Sequence, residues 1–205
     1  PRALVSLGTD GAVAVADPGT VTILDADDVR RALTRMAHEI LEANRGSQDL
    51  ALVGILSGGV PIAERLGQLI HRFDGRPVPT GRLDATAHRD DVERGAETTP
   101  TRTEIPFEIT DRVIILVDEV LYTGRTARAA MDALMDLGRP RAIQLAVLID
   151  RGHRELPIRP DFVGRNVPTS RDEHVNVVLG PDGDAVFIQR GRPAADSRGT
   201  MVDHA

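Results

Sequence analysis

Asp118 and Glu119 are adjacent carboxylates at the end of the aliphatic run Ile114-Ile115-Leu116-Val117, and Val120-Leu121-Tyr122 separates them from Thr123-Gly124-Arg125-Thr126. Consecutive aliphatics suit a strand covered on both faces. Gly124 lets the backbone take a positive φ or pass close to a ligand. A loop that opens a helix presents N–H groups and hydroxyls without intrahelical partners, which is an anion site. An anion cradle beside two acids suits a molecule with a phosphate at one end and hydroxyls or Mg²⁺ near the other, such as a sugar phosphate. Similar strand–loop–helix turns in α/β folds also occur where nothing binds. The spacing is neither that of the P-loop nor that of the dinucleotide fingerprint.

The elements that must hold these residues follow from pattern. Asp25 is placed to N-cap a helix whose apolar face is Val29, Leu33, Met36, Ala37, Ile40 and Leu41, with Gly46 as its stop. Residues 50–56 read as a buried strand, Ser57-Gly58-Gly59 as a tight loop, and Pro61 as first-turn proline of a helix reaching about residue 71. Strands are expected at 78–86, 109–117 and 142–149, and a helix at 126–137. Residues 87–107 are polar and aperiodic, as in a lid or binding loop. Residues 150–174 read as loop, and 175–179 with 185–188 as a hairpin. Alternating strands and helices predict an α/β fold with a mostly parallel central sheet. Ligands bind such sheets beyond the carboxyl ends of strands, where Ser57-Gly58-Gly59, the 118–126 segment and Asp150-Arg151-Gly152-His153 fall. The expected domain spans 23–190, between a flexible arm (1–22) and a disordered tail (191–205).

Composition narrows the chemistry. The chain of 205 residues has no Cys, so disulfides and thiolate catalysis are excluded. All 25 basic residues are Arg, which excludes Schiff-base lysines and suits bidentate phosphate contacts. A net charge of −6 disfavours nonspecific coating of nucleic acid but permits a local Arg patch for one RNA. The apolar runs are too short to span a membrane and no signal-peptide pattern opens the chain, so a cytoplasmic location is expected.

The segment 113–126 resembles the phosphoribosyl-pyrophosphate (PRPP) motif of type I phosphoribosyltransferases, and the chain is most similar to the PyrR family. The resemblance rests on Arg30-Arg31-Ala32-Leu33-Thr34-Arg35-Met36-Ala37-His38-Glu39, on Val117-Asp118-Glu119-Val120-Leu121-Tyr122-Thr123-Gly124-Arg125-Thr126, on Gly138-Arg139-Pro140, and above all on Asp150-Arg151-Gly152-His153-Arg154-Glu155-Leu156-Pro157-Ile158-Arg159. It covers about residues 23–189. It implies a type I phosphoribosyltransferase fold with a small hood and a flexible lid. It implies a homodimer or larger homo-oligomer that binds a pyrimidine-operon mRNA leader in response to UMP. It also implies an enzyme that makes UMP and pyrophosphate from uracil and PRPP with Mg²⁺.

By the same resemblance, Asp118 and Glu119 hold the ribose hydroxyls directly or through metal-bound water, and Thr123, Gly124, Arg125 and Thr126 cradle the 5-phosphate. Ser57, Gly58 and Gly59 take the pyrophosphate-loop position, Arg89 reaches the pyrophosphate, and Asp150, Arg151 and Gly152 belong to the hood over uracil. Thr34, Arg35, His153, Arg154, Arg159 and Arg165 line the RNA surface. Simpler roles stand beside these: Glu119 as an outward ion-pair partner, Arg125 as neutraliser of the acidic pair, Arg89 as a solvated lid charge, His153 bonding a loop carbonyl, and Tyr122 packing over the loop. Three departures stand out. Glu119 replaces the family's second Asp, Ser57-Gly58-Gly59 replaces Thr-Arg-Gly, and His88 replaces a Tyr before the lid's Arg-Asp-Asp. The alternative they suggest is an RNA-binding nucleotide sensor with weak or lost catalysis. A purine phosphoribosyltransferase is disfavoured by Tyr122 and the hood sequence.

Overall fold

A computed structural model describes residues 20–90, 103–181 and 183–190. Most of the expected arm (1–19), the centre of the expected lid (91–102) and the expected tail (191–205) lie outside the described residues.

Among the described residues two sheets carry the fold. The larger is wholly parallel, in the order β3 (Thr80–Leu83), β2 (Leu50–Ile55), β4 (Val113–Leu121), β5 (Ala142–Asp150) and β6 (Phe162–Asn166). The smaller is antiparallel, in the order β1 (Thr20–Leu24), β8 (Ala185–Arg190) and β7 (Glu173–Val178). Helices α1 (Ala26–Asn44) and α2 (Gly59–Asp74) pack with alternate residues of the parallel strands, among them Leu52, Ile115 and Val117, in one core. Helix α3 (Arg125–Leu137) packs with the complementary set, including Val53, Ile114 and Leu116, in a second. Coverage on both faces is why these strands read as continuous aliphatic runs.

Local signals set the helix ends. The Asp25 side chain accepts from the Asp28 N–H at 2.8 Å and Asp28 returns a bond to the Asp25 N–H, a reciprocal cap at the N-terminus of α1. Arg45 takes the left-handed conformation at the other end (φ 56°), and the Gly46 N–H reaches the Leu41 carbonyl.

Several boundaries differ from expectation. Strand β4 starts at Val113, because Thr110 and Asp111 turn and the Asp111 N–H bonds the Arg139 carbonyl. Strand β3 is short and yields to a 3₁₀ turn at Thr86–His88. Helix α2 runs on to Asp74, where Gly75 adopts φ 75°. Thr20–Thr22, from a stretch that reads as a flexible arm or a short strand, pair with β8. Strand β6 lies inside the stretch read as loop and completes the parallel sheet beside β5. The β7–β8 hairpin forms as expected. Among the described residues no helix is long and apolar enough to cross a membrane.

Candidate active site

Strand β4 carries Asp118 to the carboxyl edge of the sheet, in register with Val147 of β5, and leaves it only 7% exposed. Its Oδ1 accepts the Glu119 N–H at 2.9 Å. Burial pushes the Asp118 carboxyl well above the usual carboxylate range, reinforced by a hydrogen bond with the Glu119 side chain and by that group's charge. The Glu119 N–H and the Arg89 guanidinium pull the other way and are outweighed. An acid held in this state suits a ligand that brings hydroxyl donors or a cation.

The chain then turns at Gly124 (φ 94°), and α3 begins with no side chain capping it. Arg125 N–H reaches Thr123 Oγ1 at a long 3.3 Å. The first turn therefore presents N–H groups to a cleft of about 290 Å³ lined by Arg89, Asp118, Glu155 and residues 120–127. Asp118, Thr123, Gly124, Arg125, Thr126 and Arg89 meet in this one cleft. Ser57, Gly58 and Gly59 do not line it; they approach through Glu119, whose carboxyl lies against the Gly58 backbone. Asp150, Arg151, Gly152 and His153 line a separate hollow with Asn166, Pro168 and Thr169.

The loop after β5 folds over the cradle. The Glu155 and Leu156 N–H groups donate to the Thr123 carbonyl at 3.0 and 3.2 Å. Arg125 does not neutralise the acidic pair: it bonds Glu155 Oε2 at 2.8 Å and Asp90 Oδ2 at 2.9 Å, tying this loop to the stem of the polar 87–107 segment. Tyr122 packs over the loop, under the Arg151 guanidinium (4.2 Å to the ring centre) and edge-on to His153. Arg151 is buried, donating to Thr169 Oγ1 and the Ser170 carbonyl. Glu155 and Asp90 carry no sequence signal for this site, because an Arg reaches partners that no spacing specifies; Asp90 follows Arg89 in the Arg-Asp-Asp run, which says nothing of Arg125.

The six residues expected to face RNA divide between two supports. Thr34, Arg35 and Arg165 flank the seam between α1 and β6, while His153, Arg154 and Arg159 belong to the loop after β5. Arg35 bonds Glu39 and the Val163 and Gly164 carbonyls, clamping α1 to β6. Thr34 returns its hydroxyl to the Arg30 carbonyl. His153 Nε2 sits 2.6 Å from the Thr169 carbonyl, the plainer of its two roles. Arg154 faces inward: it bonds the Ile158, Gly152 and Tyr122 carbonyls and pairs with Asp150, with its side chain 22% exposed. Arg154→Ala should therefore lower the unfolding free energy by about 1–3 kcal/mol, because buried acceptors lose their donor. Urea unfolding of the variant reads this directly.

Among the described residues no group of three or more His, Asp or Glu side chains could cage a metal ion. Mg²⁺ is commonly held by one or two carboxylates plus waters and substrate oxygens. Buried Asp118 beside Glu119 fits that donor set, and a cation would relieve their mutual repulsion.

Residues 20–182 match the family model of the phosphoribosyl transferase domain. The chain is 61% identical over 156 residues to the Bifunctional protein PyrR of Thermus aquaticus, covering 76% of this chain and 86% of that one. It is 58% identical over 176 residues to the Bifunctional protein PyrR of Roseiflexus sp. (strain RS-1), covering 84% and 96%. A crystal structure of the hypoxanthine phosphoribosyltransferase of Trypanosoma cruzi superposes with a TM-score of 0.62 at 16% identity, covering 83% of this chain and 97% of that one. At that identity the likeness shows the fold.

Proposed function

The chain belongs to the PyrR family of type I phosphoribosyltransferases, and on that premise we propose that it converts uracil and PRPP to UMP and pyrophosphate and binds a pyrimidine-operon mRNA leader when UMP is present. The observation that carries the enzymatic half is one cleft in which a buried acid and an uncapped helix N-terminus face each other.

The reaction breaks the bond from ribose C1 to pyrophosphate oxygen, forms a bond from C1 to uracil N1, and releases the N1 proton. Its transition state has oxocarbenium character, as in glycoside cleavage. Thr123, Gly124, Arg125 and Thr126 anchor the 5-phosphate through main-chain N–H groups and hydroxyls, which fixes C1 relative to the acids. Asp118 and Glu119 hold the ribose hydroxyls. Arg89 stabilises charge on the departing pyrophosphate. Asp150, Arg151 and Gly152 close over the base, and Tyr122 supports them. When bound, Mg²⁺ supplies charge neutralisation for the diphosphate, with Asp118 and Glu119 as its protein contacts.

Incubation with uracil, PRPP and Mg²⁺, followed by detection of UMP, tests this half. A nucleotide sensor without turnover is the second reading. It is favoured by the Glu119 carboxyl lying against Gly58 in the loop proposed for pyrophosphate, where a cation would help more. UMP binding with turnover no faster than buffer would select it.

The RNA-facing surface we propose is built on Arg165 and Arg159, exposed on β6 and the preceding loop, with Thr34 and Arg35 on α1. His153 and Arg154 shape the loop that presents Arg159. Arg165→Ala should weaken leader binding and reduce the slope of log affinity against log salt by about one. Filter binding at several salt concentrations measures both. A homodimer or larger assembly and a cytoplasmic location, where PRPP and mRNA are found, complete the proposal.

A further inference from the structure

Gly58 precedes α2 with φ −76° and ψ −25°. Any L residue adopts this conformation, so backbone freedom does not explain glycine here. A Cβ on Gly58 would lie 2.3 Å from Glu119 Cδ and 2.5 and 2.6 Å from its two carboxyl oxygens. Carbon atoms in contact sit about 3.5–4.0 Å apart. A side chain at 58 would therefore meet the carboxyl group of Glu119 first, the far end of a flexible side chain, and would have to displace it. The neighbouring Gly59 differs, because its Cβ would meet the Val117 carbonyl oxygen at 2.1 Å, an obstacle of backbone. Of these two conflicts, the one at Gly58 can be relieved by moving or changing another side chain.

We propose that Gly58 and Glu119 form one positioning unit: the bare Gly58 backbone is the seat of the Glu119 carboxyl, and a side chain at 58 would push the carboxyl out of it. The longer acid reaches into room that any side chain at 58 would occupy. Glu119 is joined to buried Asp118 through its own N–H, which donates to Asp118 Oδ1 at 2.9 Å. Moving it disturbs both acids that face the ribose. The catalytic consequence rests on the proposed phosphoribosyl transfer; the steric pairing does not.

Four proteins test it: the native chain, Gly58→Ala, Glu119→Asp and the double variant, each measured for thermal midpoint and for kcat/KM with PRPP. Gly58→Ala should lower the midpoint and cut kcat/KM by about 10²-fold, the scale of an ångström misplacement. In the Glu119→Asp background the same alanine should cost clearly less in midpoint than it does in the native chain, and its cut in kcat/KM should shrink from about 10²-fold to below about tenfold. Failure of Gly58→Ala to fold while the double variant folds gives the same support. Equal cost of the alanine in both backgrounds overturns the pairing. If the native chain makes no UMP, the proposed reaction fails, and the midpoints alone decide the pairing.

Discussion

Asp118→Asn should unfold at a higher temperature than the native chain at pH 7, and should form UMP more slowly by a factor of about 10²–10³, the usual cost of losing one preorganised electrostatic contact. The stability gain follows from the direction of the shift. Burial, the hydrogen bond with Glu119 and its charge raise the folded-state affinity of Asp118 for a proton above its ordinary value near 3.8. The unfolded chain ionises this group more readily than the folded one. Its contribution to stability is therefore fully present below about pH 3.8 and is lost as pH rises through the folded value. Asn cannot ionise, keeps a carbonyl for the Glu119 N–H, and avoids that loss. The advantage of the variant should be largest near neutrality and should vanish toward pH 3.8. Thermal unfolding of both proteins across this range checks the sign. A midpoint for the variant below that of the native chain at pH 7 would mean that the acid is comfortably solvated or paired. A more stable, less active variant is the behaviour of a group retained for function.

Gly124→Ala is the second large effect. The φ of 94° at Gly124 is one that L side chains rarely adopt, and the left-handed region costs a non-glycine residue about 1–2 kcal/mol. The added Cβ would lie 3.4 Å from Ile158 Cβ and 3.5 Å from Leu156 Cβ, in ordinary contact with the loop over the cradle, so the cost is one of backbone conformation. The N–H groups proposed to hold the phosphate follow directly in sequence. Stability should fall by about 1–2 kcal/mol in urea unfolding, and UMP affinity should fall by about tenfold, a further 1.4 kcal/mol, in calorimetric titration. Unchanged UMP affinity in a folded variant would remove the phosphate from this turn.

Strands β2, β4 and β5 were legible because unbroken aliphatic runs admit few readings in an α/β pattern. Asp25 marked the start of α1 because a short acidic side chain can satisfy a helix N–H without tertiary help. Strand β6 was not legible. Phe162-Val163-Gly164 is brief, contains a glycine and follows Pro157 and Pro160, and its pairing with β5 is a long-range property. The carboxyl-edge cluster of Asp118, Thr123, Gly124 and Thr126 could be read from spacing, since one strand and one turn deliver all four. The allocation of arginines could not. With every basic residue an Arg, residue type carries no information about which one clamps helix to sheet, as Arg35 does, which braces a loop, as Arg125 and Arg154 do, and which faces solvent, as Arg165 does. The seat of Glu119 on Gly58 was also hidden, because residues 58 and 119 are brought together only when β2 and β4 lie side by side.

A crystal structure of the protein grown with saturating UMP tests the central claim most directly. The account predicts the nucleotide phosphate within hydrogen-bond distance of the main-chain N–H groups of 124–126, and its ribose hydroxyls facing Asp118 and Glu119. UMP bound elsewhere, with the turn between β4 and α3 unoccupied, would contradict it.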